Sequence, residues 1–117
     1  MRYNIFYYQS MIQVREYIDD AGRNHFGAWR AKLDPTTRVR IDVALDRLER
    51  GNTSAMKSVG AGVAELRLDF GPGYRVYCAM DGETLVILLA GGTKQRQSAD
   101  IAVAKMLWKQ YKQGKRS

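Results

Sequence analysis

The chain carries one cysteine and one histidine in 117 residues. A single thiol closes no intramolecular disulfide, and one Cys with one His builds no thiolate or Cys/His zinc cage. The same scarcity leaves a Ser-His-Asp or Cys-His triad unsupported, because His25 lies far along the sequence from the other polar motifs. Carboxylates are not clustered at ligand spacing, so neither a metal nor a cofactor is expected. Long apolar runs are missing too, so no membrane-spanning segment is expected. Arg2 ahead of Ile5-Phe6-Tyr7-Tyr8 is too short and too polar a start for a secretory signal. Cys78 reads as a small core residue of a cytoplasmic protein. Gly71-Pro72-Gly73 lacks the spacing of a phosphate-binding or dinucleotide-binding loop, and it joins two strands.

What the chain has in quantity is positive charge. Lys and Arg number 19 against 12 for Asp and Glu, a formal net charge of +7. That excess favours a polyanionic partner such as nucleic acid, the ribosome or an acidic protein. The length fits one domain, and a hydrophobic share of 45% fits one core.

Residues 1–10 read as an N-terminal extension, and 11–117 as a single domain ending in a basic, mobile tail. Met11–Tyr17 reads as a first strand with Ile12 and Val14 inward. Phe26, Trp29 and Leu33 have helical spacing. Asp34-Pro35 breaks that helix, and Thr36 or Thr37 is placed to cap the next. The second helix carries Val39, Val43, Leu45 and Leu48 and ends at Gly51. Residues 52–62 read as a loop. Strands follow at about Val63–Phe70 and Tyr74–Met80, then a hairpin turn at Asp81-Gly82. Thr84–Ala90 is almost wholly apolar, as expected of a strand buried on both faces, with Gly91-Gly92 ending it. A last helix from Ser98 carries Ile101, Ala104, Leu107, Trp108 and Tyr111. The expected fold is α+β: a twisted, mainly antiparallel sheet, an N-terminal helical hairpin and a C-terminal helix, with the helices on one face.

The chemistry lies in the central strand pair. Alternation puts Glu65, Arg67 and Asp69 on one face and Leu66, Leu68 and Phe70 on the other. If Gly71-Pro72-Gly73 pairs the strands directly, Glu65, Arg67, Arg75 and Tyr77 form one polar patch. Arg, Lys, Glu and Tyr suffice for RNA cleavage by the RNA's own 2′-hydroxyl. One group takes the 2′-OH proton, another neutralises the developing charge, and a third protonates the 5′-oxygen. Arg67 and Arg75 suit the charge, since a guanidinium grips two phosphate oxygens. Glu65 is the candidate base, and Lys94 the candidate donor to the leaving oxygen. Tyr77 is placed to stack on a base or orient a phosphate, and Lys57 and Arg96 to contact RNA. The bland alternative for these residues is a set of cross-strand ion pairs worth about 0.2–1 kcal/mol each.

The runs Lys57-Ser58-Val59-Gly60-Ala61-Gly62-Val63, Glu65-Leu66-Arg67, Gly71-Pro72-Gly73-Tyr74-Arg75-Val76-Tyr77 and Ala90-Gly91-Gly92-Thr93-Lys94-Gln95-Arg96-Gln97, with Asp100-Ile101, resemble the RelE/ParE superfamily of toxins. They are closest to the HigB-like addiction module killer branch. The resemblance covers about Met11 to Trp108. It implies the toxin of a type II toxin–antitoxin pair that cuts mRNA on the ribosome without metal. It also implies a cognate antitoxin, a small helix-turn-helix protein. It places Arg75 at the scissile phosphate, Lys94 at the acid or charge-stabilising position, Glu65 at the base and Arg67 at a further basic position. Where some RelE-like enzymes have a catalytic Tyr, this chain has Asp100. Two alternatives stay open: a ParE-like inhibitor of DNA gyrase, and a non-catalytic antitoxin-binding protein.

Overall fold

The computed structural model describes residues 12–116; the expected N-terminal extension lies outside the described residues. The first strand, β1 (Gln13–Glu16), leads to two helices, α1 (His25–Ala31) and α2 (Pro35–Glu49). Four strands follow: β2 (Met56–Gly60), β3 (Val63–Leu68), β4 (Tyr74–Asp81) and β5 (Leu85–Thr93). A 3₁₀ turn, Lys94–Arg96, then feeds a long helix, α3 (Gln97–Arg116). The five strands form one sheet in the order β1-β5-β4-β3-β2. β1 is parallel to β5, and the other pairings are antiparallel.

Local chemistry fixes the helix boundaries. Asn24 caps α1, its side chain accepting from the Gly27 N–H at 2.8 Å. Asp34 caps α2, accepting from the Thr37 N–H at 2.9 Å and from its hydroxyl at 2.8 Å. The cap expected at Thr36 or Thr37 is therefore Asp34, with Pro35 at the first turn, where its missing N–H costs nothing. α2 buries Thr37, Ile41 and Leu48, whereas Val39 and Val43 face outward. Of the four residues expected inward, Leu48 is buried and Leu45 packs against the core, while Ile41 takes the place expected of Val39 and Val43.

The helices cover both faces of the sheet, which corrects the one-face expectation. On one face Phe26, Ile41 and Leu48 pack with Leu66, Leu68, Val76, Cys78, Val86 and Leu88. On the other, Ala104, Leu107 and Trp108 of α3 pack with Val63, Tyr77, Ala79, Ile87, Leu89 and Ala90. This is why β5 reads as continuously apolar: both faces are buried against helices. Residues 56–60, expected as loop, are a strand, because Lys57 and Ser58 find register partners in Glu65 and Ala64. The basic C-terminus is helical through Arg116 instead of a free tail, and Lys115 pairs with Asp81 at 2.7 Å.

The two glycines expected to end β5 lie inside it. A register shift at Tyr77/Cys78 places Tyr77 opposite Ala90 and Cys78 opposite Leu88, so β5 carries one extra residue there. Beyond that bulge, Gly91 faces α1, and a Cβ at Gly91 would collide with the Trp29 ring. Gly92 faces α3, and a Cβ there would collide with the Asp100 carboxylate. Neither position tolerates a side chain because a helix residue already occupies its space.

Candidate functional site

The β3–β4 register gathers the predicted polar residues. Glu65 lies opposite Tyr77 and Arg67 opposite Arg75. Lys57 extends the first row at the sheet's outer side, paired with Glu65. Cross-strand partners project from the same face, so this set shares the α3 side of the sheet. The face assignment read from alternation therefore holds.

Its exposure does not. Tyr77 is 0% exposed, Glu65 1% and Arg75 5%. α3 lies over this face and turns the inner half of the patch into a buried polar cluster. A base cannot stack on Tyr77, whose ring belongs to the core, so the stacking role expected for it is corrected. Arg67, Lys57, Lys94 and Arg96 remain at the surface.

Glu65 holds the two arginines. Its Oε1 accepts from Arg67 Nε at 2.7 Å. Its Oε2 lies 3.5 Å from Arg75 Nε, within ion-pair range but without a hydrogen bond. Arg67 is raised above its ordinary pKa by this hydrogen bond and by the Glu65 charge. Burial pushes the Tyr77 phenol up to about 12, with the Glu65 and Asp100 charges adding to it and Arg75 opposing. Tyr77 therefore stays a neutral phenol at any physiological pH.

Lys94 and Arg75 converge at Gly73. The Gly73 carbonyl accepts from the Lys94 N–H at 2.8 Å and from Arg75 Nη1 at 3.1 Å. A Cβ on Gly73 would sit 3.2 Å from Lys94 Cβ and 3.5 Å from Arg75 Nη1. Gly73 also has φ +75°, which a side chain disfavours. The glycine therefore brings turn, guanidinium and lysine together. An open cleft results, lined by Arg67, Asp69, Phe70, Arg75, Lys94 and Gln97. Three cations beside a backbone turn can hold a phosphodiester.

Asp100, which had no role of its own in the sequence reading, packs on the same side of the sheet without being among the residues that line the cleft. It sits in the first turn of α3, its Oδ2 packed over Gly92, the register partner of Arg75. Its carboxyl is raised above the ordinary carboxylate value by burial, with the Arg96 charge opposing. Arg96 Nε is 3.9 Å from Oδ1. Among the described residues, four enclosed atoms on this face have no hydrogen-bond partner: Glu65 Oε2, Arg75 Nε, Tyr77 Oη and Asp100 Oδ2. Glu65 Oε2 and Arg75 Nε face each other as an ion pair, which leaves Tyr77 Oη and Asp100 Oδ2 as the orphaned atoms, and orphaned buried polar atoms are costly. The sequence signal for Asp100 is the Gly91-Gly92 pair, since a glycine facing a helix asks which side chain fills its place.

Among the described residues, no cluster of three or more His, Cys, Asp or Glu is gathered as a metal requires. Nor, among them, is any helix long and apolar enough to cross a membrane.

Residues 28–110 match the family model of the phage-derived protein Gp49-like (DUF891). An uncharacterized protein of Haemophilus influenzae is 45% identical over 83 residues, which covers 70% of this chain and 84% of that one. No solved structure gives a significant match.

Proposed function

The chain belongs to the Gp49-like family of phage-derived proteins, and we propose that it is the toxin of a type II toxin–antitoxin pair. Its activity is endonucleolytic cleavage of mRNA on the ribosome, by attack of the 2′-hydroxyl on the adjacent phosphate. The observation that carries this reading is that Arg67, Arg75 and Lys94 line one cleft, where the Arg75 guanidinium and the Lys94 backbone N–H both bond the Gly73 carbonyl. Arg75 and Arg67 hold the scissile phosphate and take up its growing charge. Lys94 protonates the departing 5′-oxygen. Lys57 and Arg96, both exposed, contact the RNA on either side. The partner is a small DNA-binding antitoxin whose acidic segment neutralises the basic surface, with no membrane involved and the cytoplasm as the site of action.

The burial of Arg75 favours a second reading, in which its pairing with Glu65 is purely structural and the protein binds without cutting. Induction of the chain in bacterial cells, with Lys94→Ala and Arg75→Lys alongside, separates the two. Growth arrest with new mRNA 5′-ends, lost in both variants, supports the endonuclease. Arrest with intact mRNA and a DNA-damage response points to gyrase. No arrest from soluble, folded protein leaves the non-catalytic reading standing.

A further inference from the structure

Glu65 is badly placed to serve as a base. It is 1% exposed, with one oxygen on Arg67 and the other against Arg75. A 2′-hydroxyl reaching it would have to displace a guanidinium that the phosphate needs. Asp69, in the turn beside the cleft, has no hydrogen bond or ion pair to fix its side chain among the described residues. Asp100 is fixed. α3 presses its Oδ2 into the space over Gly92, directly beside Arg75 in the register. Oδ2 is enclosed, yet the side chain is 15% exposed, so Oδ1 is the oxygen that meets solvent. Arg96 of the 3₁₀ turn lies 3.9 Å from Asp100 Oδ1 and opposes the effect of burial, and Tyr77 of β4 feels the Asp100 charge together with those of Glu65 and Arg75. The Tyr77 hydroxyl, wholly buried and without a partner, belongs to the same cluster.

We infer that Asp100 Oδ1 is the general base of this site, and that Glu65 positions Arg67 and Arg75. The inference rests on the endonuclease reading above. The 2′-oxygen forms its bond to phosphorus as the bond from phosphorus to the 5′-oxygen breaks. The 2′-OH proton passes to Asp100, and the 5′-oxygen takes a proton from the Lys94 ammonium. The products are a 2′,3′-cyclic phosphate and a 5′-hydroxyl, and both side chains exchange protons with water afterwards. Partial burial serves this role, because a carboxylate more basic than usual is a better acceptor near neutral pH.

The test uses the purified full chain with ribosomes translating a defined mRNA, cuts being read by primer extension. Asp100→Asn is expected to cut at the same positions about 100-fold more slowly, the range for loss of a general base. Its melting temperature at neutral pH should equal or exceed that of the wild type, because an amide carries no charge to desolvate. Wild-type cleavage should fall on acidification with a midpoint above the ordinary 3.8 of a carboxylate, and residual Asp100→Asn activity should lack that step. Asp100→Ala, which needs no partner for its side chain, should reproduce the rate loss. The inference is overturned if Asp100→Asn cuts as fast as the wild type, or if Asp69→Asn loses the activity instead. It is also overturned if rate and melting temperature fall together with the pH profile unchanged, which marks a packing role. A wild-type chain that makes no cuts sinks the endonuclease reading itself, and the base with it.

Discussion

The Asp100 carboxylate occupies the volume that a side chain at residue 92 would need. Helix and strand are matched here by one missing methyl group. Gly92→Ala is therefore expected to destabilise the fold by roughly 1–3 kcal/mol, the cost of overpacking. Shortening the opposing residue should relieve the clash, so Gly92→Ala/Asp100→Ala should regain most of the lost melting temperature. Thermal denaturation of the four proteins forms a double-mutant cycle, and simple additivity would refute the direct contact.

Glu65 stands between two guanidiniums, one of them almost wholly enclosed. Glu65→Gln leaves Arg75 buried without a compensating charge. Removing one partner of a buried pair typically costs about 3–5 kcal/mol. Chemical denaturation should show a loss of that order, whereas Asp69→Asn in the exposed turn should change little. A Glu65→Gln protein as stable as the wild type would show that the pair contributes nothing to holding Arg75.

Asp81 ties the β4–β5 hairpin to the far end of α3. Its carboxylate accepts from Lys115 at 2.7 Å and from the Tyr111 hydroxyl at 2.5 Å. Lys115 first, then Tyr111, holds Asp81 below its ordinary value of 3.8. A carboxylate depressed in the fold adds stability above its unfolded pKa and loses it as pH falls through the folded value. Asp81→Asn should therefore melt below the wild type at neutral pH, and the gap should close as pH drops under 3.8. Melting curves across pH 3–7 check this, and a gap that persists unchanged in acid would refute the ionic origin.

Cys78 lies at 0% exposure in the core between sheet and α1–α2, and burial pushes its thiol up to about 12. Little thiolate exists at neutral pH, and none of it is accessible. Alkylation by iodoacetamide in native buffer should be slow and should become fast only in denaturant. Mass spectrometry of the two reactions provides the comparison.

Much of this fold was legible because strand alternation is a strict code. Glu65 and Arg67 fall on the face opposite Leu66 and Leu68 in sequence and in structure alike. Alternation says which residues share a face, however, and nothing about what covers it. The polar residues of β3 and β4 read as a surface because the helix above them is contributed from residues 97–116. The buried both-sides character of β5 was the available hint that helices lie on two faces. β2 was missed because Lys57, Ser58 and Gly60 are exposed and small or polar, so pairing with β3 makes the strand, not its own composition. Lys94 and Arg75 were brought to one cleft as expected, while the packing of Asp100 on Gly92 required knowing that a glycine's empty place was filled.

β1 joins the sheet beside β5, with Gln13 in register with Leu85 and Glu16 with Leu88. The earliest described strand thus waits for the last one before it has a hydrogen-bonding partner. During synthesis the α1–α2 segment and the β2–β3–β4 meander can assemble first from contacts near in sequence, whereas β1 docks only after β5 is laid down. Non-local pairings of this kind slow folding. They also make the completion of the sheet, and with it the seating of Trp29 and Asp100 on either side of Gly91-Gly92, a late event. The sheet and the cleft beside Gly73 would then be complete only after nearly the whole domain has left the ribosome.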